Sequence, residues 1–134
     1  MAVTASGSMP VRSEQDIVLT RQAVRKLTQD LKFSLVDQTK LITAASELSR
    51  NAVVYGGGGE MRWEVLSEGA RQGLRLHFED KGPGIPDVAQ AMTDGWTSGK
   101  GLGMGLSGSK RLVNEFEIRT AAGEGTCVSI TRWK

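Results

Sequence analysis

A chain of 134 residues with 39% hydrophobic and 24% charged side chains has the make-up of one globular domain. Seventeen basic against fifteen acidic residues leave a net charge of +2, and aromatics are limited to three Phe, three Trp and one Tyr, so neither an electrostatic grip on nucleic acid nor a base-stacking platform is indicated. One Cys and one His exclude an internal disulfide, a cysteine-rich zinc site and chemistry that needs a histidine pair.

No apolar run approaches the ~20 residues that cross a bilayer. The first residues, MAVTASGSMPVR, lack the charged start and apolar core of a secretion signal, so a cytoplasmic protein without membrane contact is the expectation. Residues 1–10 read as a tail or an edge strand, since Pro10 is tolerated at a sheet edge, and 11–134 as a single domain. Ser13 suits an N-cap, with Glu14 and Asp16 placing negative charge in the first turn of a helix that carries Ile17, Val24, Leu27 and Leu31. A second helix is predicted from Asp37 to Tyr55, where Leu41, Ala45, Leu48, Ala52 and Tyr55 form one stripe. The glycines at 56–59 stop it.

Strands follow over Glu60–Ser67 and Gly73–Asp80, the latter with Leu74, Leu76 and Phe78 on one face. A Gly-Pro corner leads to a short helix near Pro86 and Asp87, then to the glycine-rich GWTSGKGLGMGLSGSK and a last helix ending around Phe116. EIRTAAGEGTCVSITRW reads as two strands about a Gly-Glu-Gly turn. The order β-α-α-β-β-α-loop-α-β-β implies an α+β fold, a two-layer α/β sandwich: a mixed, mainly antiparallel sheet with helices on one face.

Four segments offer chemistry. Glu47 and Asn51 in SELSRN lie one helical turn apart at the border of the buried stripe, where an acid can take a proton and an amide oxygen can face magnesium. The same spacing also fits a solvated Glu bonded to its neighbour. EDKGPGIPD sets Asp80 beside Gly82 and Gly84, a corner open to a flat ligand or simply a tight turn. Gly99–Lys110, flanked by Lys100 and Lys110, offers backbone N–H groups leading into a helix, a seat for phosphate or a flexible surface loop. Gly103, Gly105 and Gly108 match G-x-G-x-x-G, but no strand feeds them, so the dinucleotide fingerprint is rejected, and the P-loop pattern is absent. In AAGEGT, a hairpin turn accounts for both glycines and Thr126 can aim a hydroxyl towards Asp80.

Taken in order, ELSRN, DKGPG, GLGMG and GEGT resemble the four signature boxes of the GHKL ATPase superfamily, whose Bergerat sandwich agrees with the element order. The resemblance implies that Asp80 accepts a hydrogen bond from the adenine amino group, that Gly82 and Gly84 let the nucleotide lie close, and that Thr126 supports the ring. It also implies that Asn51 holds Mg²⁺, that Glu47 is the general base, and that Gly101, Gly103 and Gly105 form a lid over the phosphates of ATP. Lys100 and Lys110 are candidates by position alone.

Within that superfamily the chain is similar to the small anti-sigma serine kinases, RsbT-like stressosome switch kinases above all. The segments that carry this are DIVLTRQAVRKL, VDQTKLITAASELSRNAVVY, EDKGPGIPD, DGWTSGKGLGMGLSGSKRLVNEF and AAGEGT. A sensor kinase is not expected, since no phosphoacceptor-His region is read in these residues, and His77 falls on a strand opposite the apolar face, in a structural or half-exposed position. The implied activity is phosphorylation of a STAS-domain partner. A PP2C-type phosphatase or a sigma factor is a further implied partner. The alternatives are a partner-binding switch without turnover, such as an anti-sigma factor, and, with less behind it, an ATPase clamp.

Overall fold

The computed structural model describes residues 1–85, 92 and 105–134. Strand β1 spans Ala2–Val11, helix α1 Glu14–Asp30, helix α2 Leu35–Val54, strand β2 Gly59–Glu68 and strand β3 Arg71–Asp80. Helix α3 spans Gly105–Arg111, and strands β4 (Glu115–Ala121) and β5 (Gly125–Trp133) close the chain. The short helix expected near Pro86 lies outside the described residues.

The sheet runs β1-β2-β3-β5-β4, and each neighbouring pair is antiparallel. The mixed sheet expected from the sequence is thus antiparallel throughout among the described residues. The cause is topological: β3 and β4 point the same way, as a crossover connection dictates, but β5 returns between them. Its inner face carries Met61, Val65, Leu74, Leu76, Phe78, Val128 and Ile130, which bury against Leu41, Ala44, Ala45, Leu48 and Ala52 of α2 and Val24 of α1. The outer face is polar. There His77 sits half-buried between Ser129 and Glu64, 2.6 Å from each.

Local signals set the helix boundaries. The Ser13 hydroxyl accepts from the Asp16 N–H at 3.3 Å, while the Asp16 carboxylate reaches back to the Arg12 N–H at 2.9 Å, close to a capping box. Helix α1 ends in a Schellman motif, with Phe33 N–H donating to Thr28 C=O and Lys32 N–H to Gln29 C=O. The left-handed residue there is Lys32 (φ 61°) rather than glycine, and buried Phe33 locks the motif into the core. Ser34 then caps α2, which starts at Leu35, two residues ahead of the predicted Asp37.

Two expectations are corrected. Tyr55 is the C-cap just past the end of α2 and is exposed: Gly56 N–H reaches back to Asn51 C=O and Gly58 N–H to Ala52 C=O, and the positive φ of Gly57 and Gly58 turns the chain away. The last helix ends at Arg111, not near Phe116. Leu112 C=O is taken by the Arg132 guanidinium at 3.1 Å, and Asn114 N–H by Thr131 C=O at 2.9 Å, so the next helical turn is lost to β5. Phe116, Ile118 and Thr120 then alternate inward along β4.

Candidate functional site

Three elements converge at one end of the sheet. Asp80, the last residue of β3, pairs in register with Thr126 of β5, and Thr126 with Thr120 of β4. All three side chains face the helices. Helix α2 delivers Gly56 against Asp80 so closely that a Cβ there would overlap the carboxyl carbon, and a Cβ on Gly82 would lie 2.6 Å from the Gly56 Cα. A cavity of about 340 Å³ opens at this end of the sheet, lined by Asp80, Lys81, Thr120, Glu124 and Thr126 and, from the outer face, by Glu79, Arg119 and Cys127; Glu47, Asn51, Gly82 and Gly84 are not in its wall.

The Gly-Pro corner is pinned from three sides. The Asp80 carboxylate accepts from the Gly82 N–H at 2.9 Å, Pro83 C=O accepts from the Gly123 N–H at 2.9 Å, and Ile85 N–H donates to the Thr120 hydroxyl at 2.9 Å. Gly84 sits at φ 82° over the Ala121 carbonyl, where any Cβ would collide, so glycine is required by both angle and space. Burial pushes the Asp80 carboxyl above its ordinary range. The N–H groups of Gly82 and Thr126 pull it partly back, and neighbouring Glu79 adds to the rise.

Along α2, Glu47 and Asn51 are half-buried one turn apart. Glu47 accepts a hydrogen bond from the Gly105 N–H at 3.2 Å, which joins the first residue of α3 to the proposed base. The Asn51 amide makes no hydrogen bond among the described residues, and it stands one turn before Gly56 and the Asp80 corner. A lone amide oxygen fits magnesium, which takes one or two protein oxygens and completes its shell with water and phosphate. Lys110 is exposed in the last turn of α3, roughly 7.5 Å of helical rise from Gly105. Lys100, Gly101 and Gly103 lie outside the described residues.

The fold therefore brings Asp80, Gly82, Gly84 and Thr126 into one corner, and Glu47 and Gly105 into contact beside it. Sequence reasoning missed Thr120 and Gly56. Thr120 and Thr126 stand symmetrically about Gly123, a placement that puts them side by side once the hairpin register is known.

Residues 36–134 match the family model described as histidine kinase-, DNA gyrase B- and HSP90-like ATPase. The chain belongs to that family. This is the GHKL superfamily that the four motifs resemble. The new GHKL member is 43% identical to the serine/threonine-protein kinase RsbT of Bacillus subtilis (strain 168), over 92% of each chain. It is 29% identical to the anti-sigma F factor of Clostridium novyi (strain NT), over 84% of this chain and 82% of that one. Among solved structures, the RsbU and RsbW domains of Rv1364c from Mycobacterium tuberculosis superpose with a TM-score of 0.63 at 18% identity, covering 96% of this chain and 32% of the other. The mycobacterial sensor histidine kinase MprB gives 0.52, again at 18% identity, over 96% and 97% of the two chains. At that identity the two structures support the GHKL fold alone, and the chain spans about a third of the Rv1364c structure.

Proposed function

We propose that the chain is a serine/threonine-protein kinase that transfers the γ-phosphoryl group of Mg-ATP to a hydroxyl of a STAS-domain protein in a stressosome-type switch. The observation that carries this reading is the α2 face itself. It bears an acid and an amide one turn apart, touches the start of α3 at Glu47, and ends against the Asp80 corner. Asp80 and Thr126 hold the purine edge, and the glycines at 82 and 84 keep the wall free of side chains. Glu47 takes the proton as the partner's hydroxyl oxygen bonds to the γ-phosphorus and ADP departs. Magnesium, when held by the Asn51 amide oxygen, neutralises phosphate charge. Such transfer rests on positioning and electrostatics, so few side chains need to react.

Gly101, Gly103 and Gly105 close over the phosphates in this reading, with Lys100 near them; Lys110 takes no part that its position supports. The 43% identity to RsbT over nearly the full length supports kinase activity, and the proposed compartment is the cytoplasm. A second reading, a binding switch that holds a sigma factor or a PP2C-type phosphatase, draws on the likeness to anti-sigma F factors. Incubating the chain with labelled Mg-ATP and the STAS-domain proteins encoded beside its gene separates the two. Label transfer is the expected result, and a tight complex without transfer favours the switch.

A further inference from the structure

The Thr120 hydroxyl lies 2.9 Å from the Ile85 nitrogen, 3.1 Å from the Gly125 carbonyl oxygen and 2.9 Å from the Thr126 hydroxyl. A hydroxyl has one proton to give and two lone pairs to receive. The Ile85 N–H can only donate and the Gly125 C=O can only accept. Thr120 therefore spends its proton on Gly125 and one lone pair on Ile85, which leaves it a single lone pair for Thr126. In the one proton order that satisfies all three contacts, the Thr126 proton points to Thr120. Thr126, 9% exposed, then turns only lone pairs towards the cavity.

We propose that Thr120, through this fixed proton order, is a specificity-determining positioning residue that makes Thr126 an obligate acceptor and so biases the pocket towards 6-amino over 6-oxo purine nucleotides. The inference rests on the nucleotide reading given above and adds a residue to it. Asp80 already accepts the Gly82 N–H at 2.9 Å and has only acceptor sites left when ionised. With Thr126 locked as well, both side chains at this corner present oxygen lone pairs. An exocyclic amino group supplies hydrogens to such a corner, whereas a 6-oxo group meets it acceptor against acceptor. By the same count, Thr126 reaches a ring-nitrogen acceptor only through a water that donates to both.

The test is calorimetric binding of ATP and of inosine triphosphate, each with magnesium, to the parent chain, Thr120→Val and Thr120→Ser. In Thr120→Val the Thr126 proton is released and can turn to a 6-oxo group, so the ratio of ATP to inosine triphosphate affinity falls by roughly 2- to 12-fold, the worth of one neutral hydrogen bond. Thr120→Ser restores the parent ratio, which a loss of packing alone would not explain. Thermal unfolding of each variant reports whether the fold survives, and Thr120→Ala serves if Thr120→Val does not fold, because it frees the Thr126 proton in the same way. An unchanged ratio in whichever of these two variants folds, with ATP bound by the parent, overturns the role of Thr120 and leaves the nucleotide site standing. No ATP binding by the parent chain overturns both.

Discussion

The two halves of the candidate site are built differently. The Gly-Pro corner is main chain held by main chain and short side chains: Gly82 on Asp80, Gly123 on Pro83, Ile85 on Thr120, with Gly56 packed against the carboxylate. On the α2 side, Glu47 meets α3 through one 3.2 Å hydrogen bond, and the Asn51 amide has no partner among the described residues. The first half is set in place before a ligand arrives. In the proposed reaction the second keeps its chemical groups free for metal, phosphate and an incoming hydroxyl. Under that reading, recognition and chemistry are divided between a braced corner and a lightly tethered helix face.

Substitutions at the two halves should separate accordingly. The largest effect is expected from Glu47→Ala: phosphoryl transfer to a STAS partner falls about 10²- to 10⁴-fold, the range for losing a general base, while ATP affinity measured by calorimetry stays near the parent value. Transfer at the parent rate would remove Glu47 from the mechanism.

Asp80→Asn should do the reverse, lowering ATP affinity by roughly 10- to 150-fold for one charge-assisted hydrogen bond. Its effect on folding has the opposite sign. The Asp80 carboxyl titrates above its unfolded value, so its contribution to stability is full below the unfolded pKa and is lost as pH rises through the raised one. At neutral pH the buried charge is a burden, and the asparagine variant should melt no lower than the parent, or higher. A lower melting temperature would show that the charge supports the fold. The same shift predicts that ATP affinity declines on acidification at a pH above the ordinary Asp range, and that the asparagine variant lacks this decline.

Gly84→Ala tests the bracing. At φ 82° against the Ala121 carbonyl it should cost roughly 1–3 kcal/mol in chemical unfolding and weaken ATP binding with it. The smallest change is far from the site: Lys32→Gly, at φ 61° in the Schellman motif, should stabilise the fold by about 1 kcal/mol without altering nucleotide affinity.

Much of this architecture can be read from residue spacing, because the signals are local. Ser13 caps α1 as expected, and Leu41, Ala45, Leu48 and Ala52 are buried as their three-and-four spacing requires. What escaped was decided by distant partners. Lys32 gives no helix-stop signal of the kind a glycine would, and its turn is held by the burial of Phe33. The end of α3 is drawn by Thr131 and Arg132 from another strand, against a pattern that continues as helix. Thr120 shows its worth only when three unrelated segments meet at its hydroxyl, a coincidence that no single stretch of chain displays.

The abutment of Gly56 on Asp80 and Gly82 has a consequence for how a signal leaves the pocket. At most joints between elements, side chains act as cushions that swivel to absorb a shift. Here the Gly82 backbone rests on the Gly56 backbone and the short Asp80 side chain on Gly56, so little stands between the corner and the tail of α2 to absorb a nudge. A partner gripping that helix would feel whether the pocket is full.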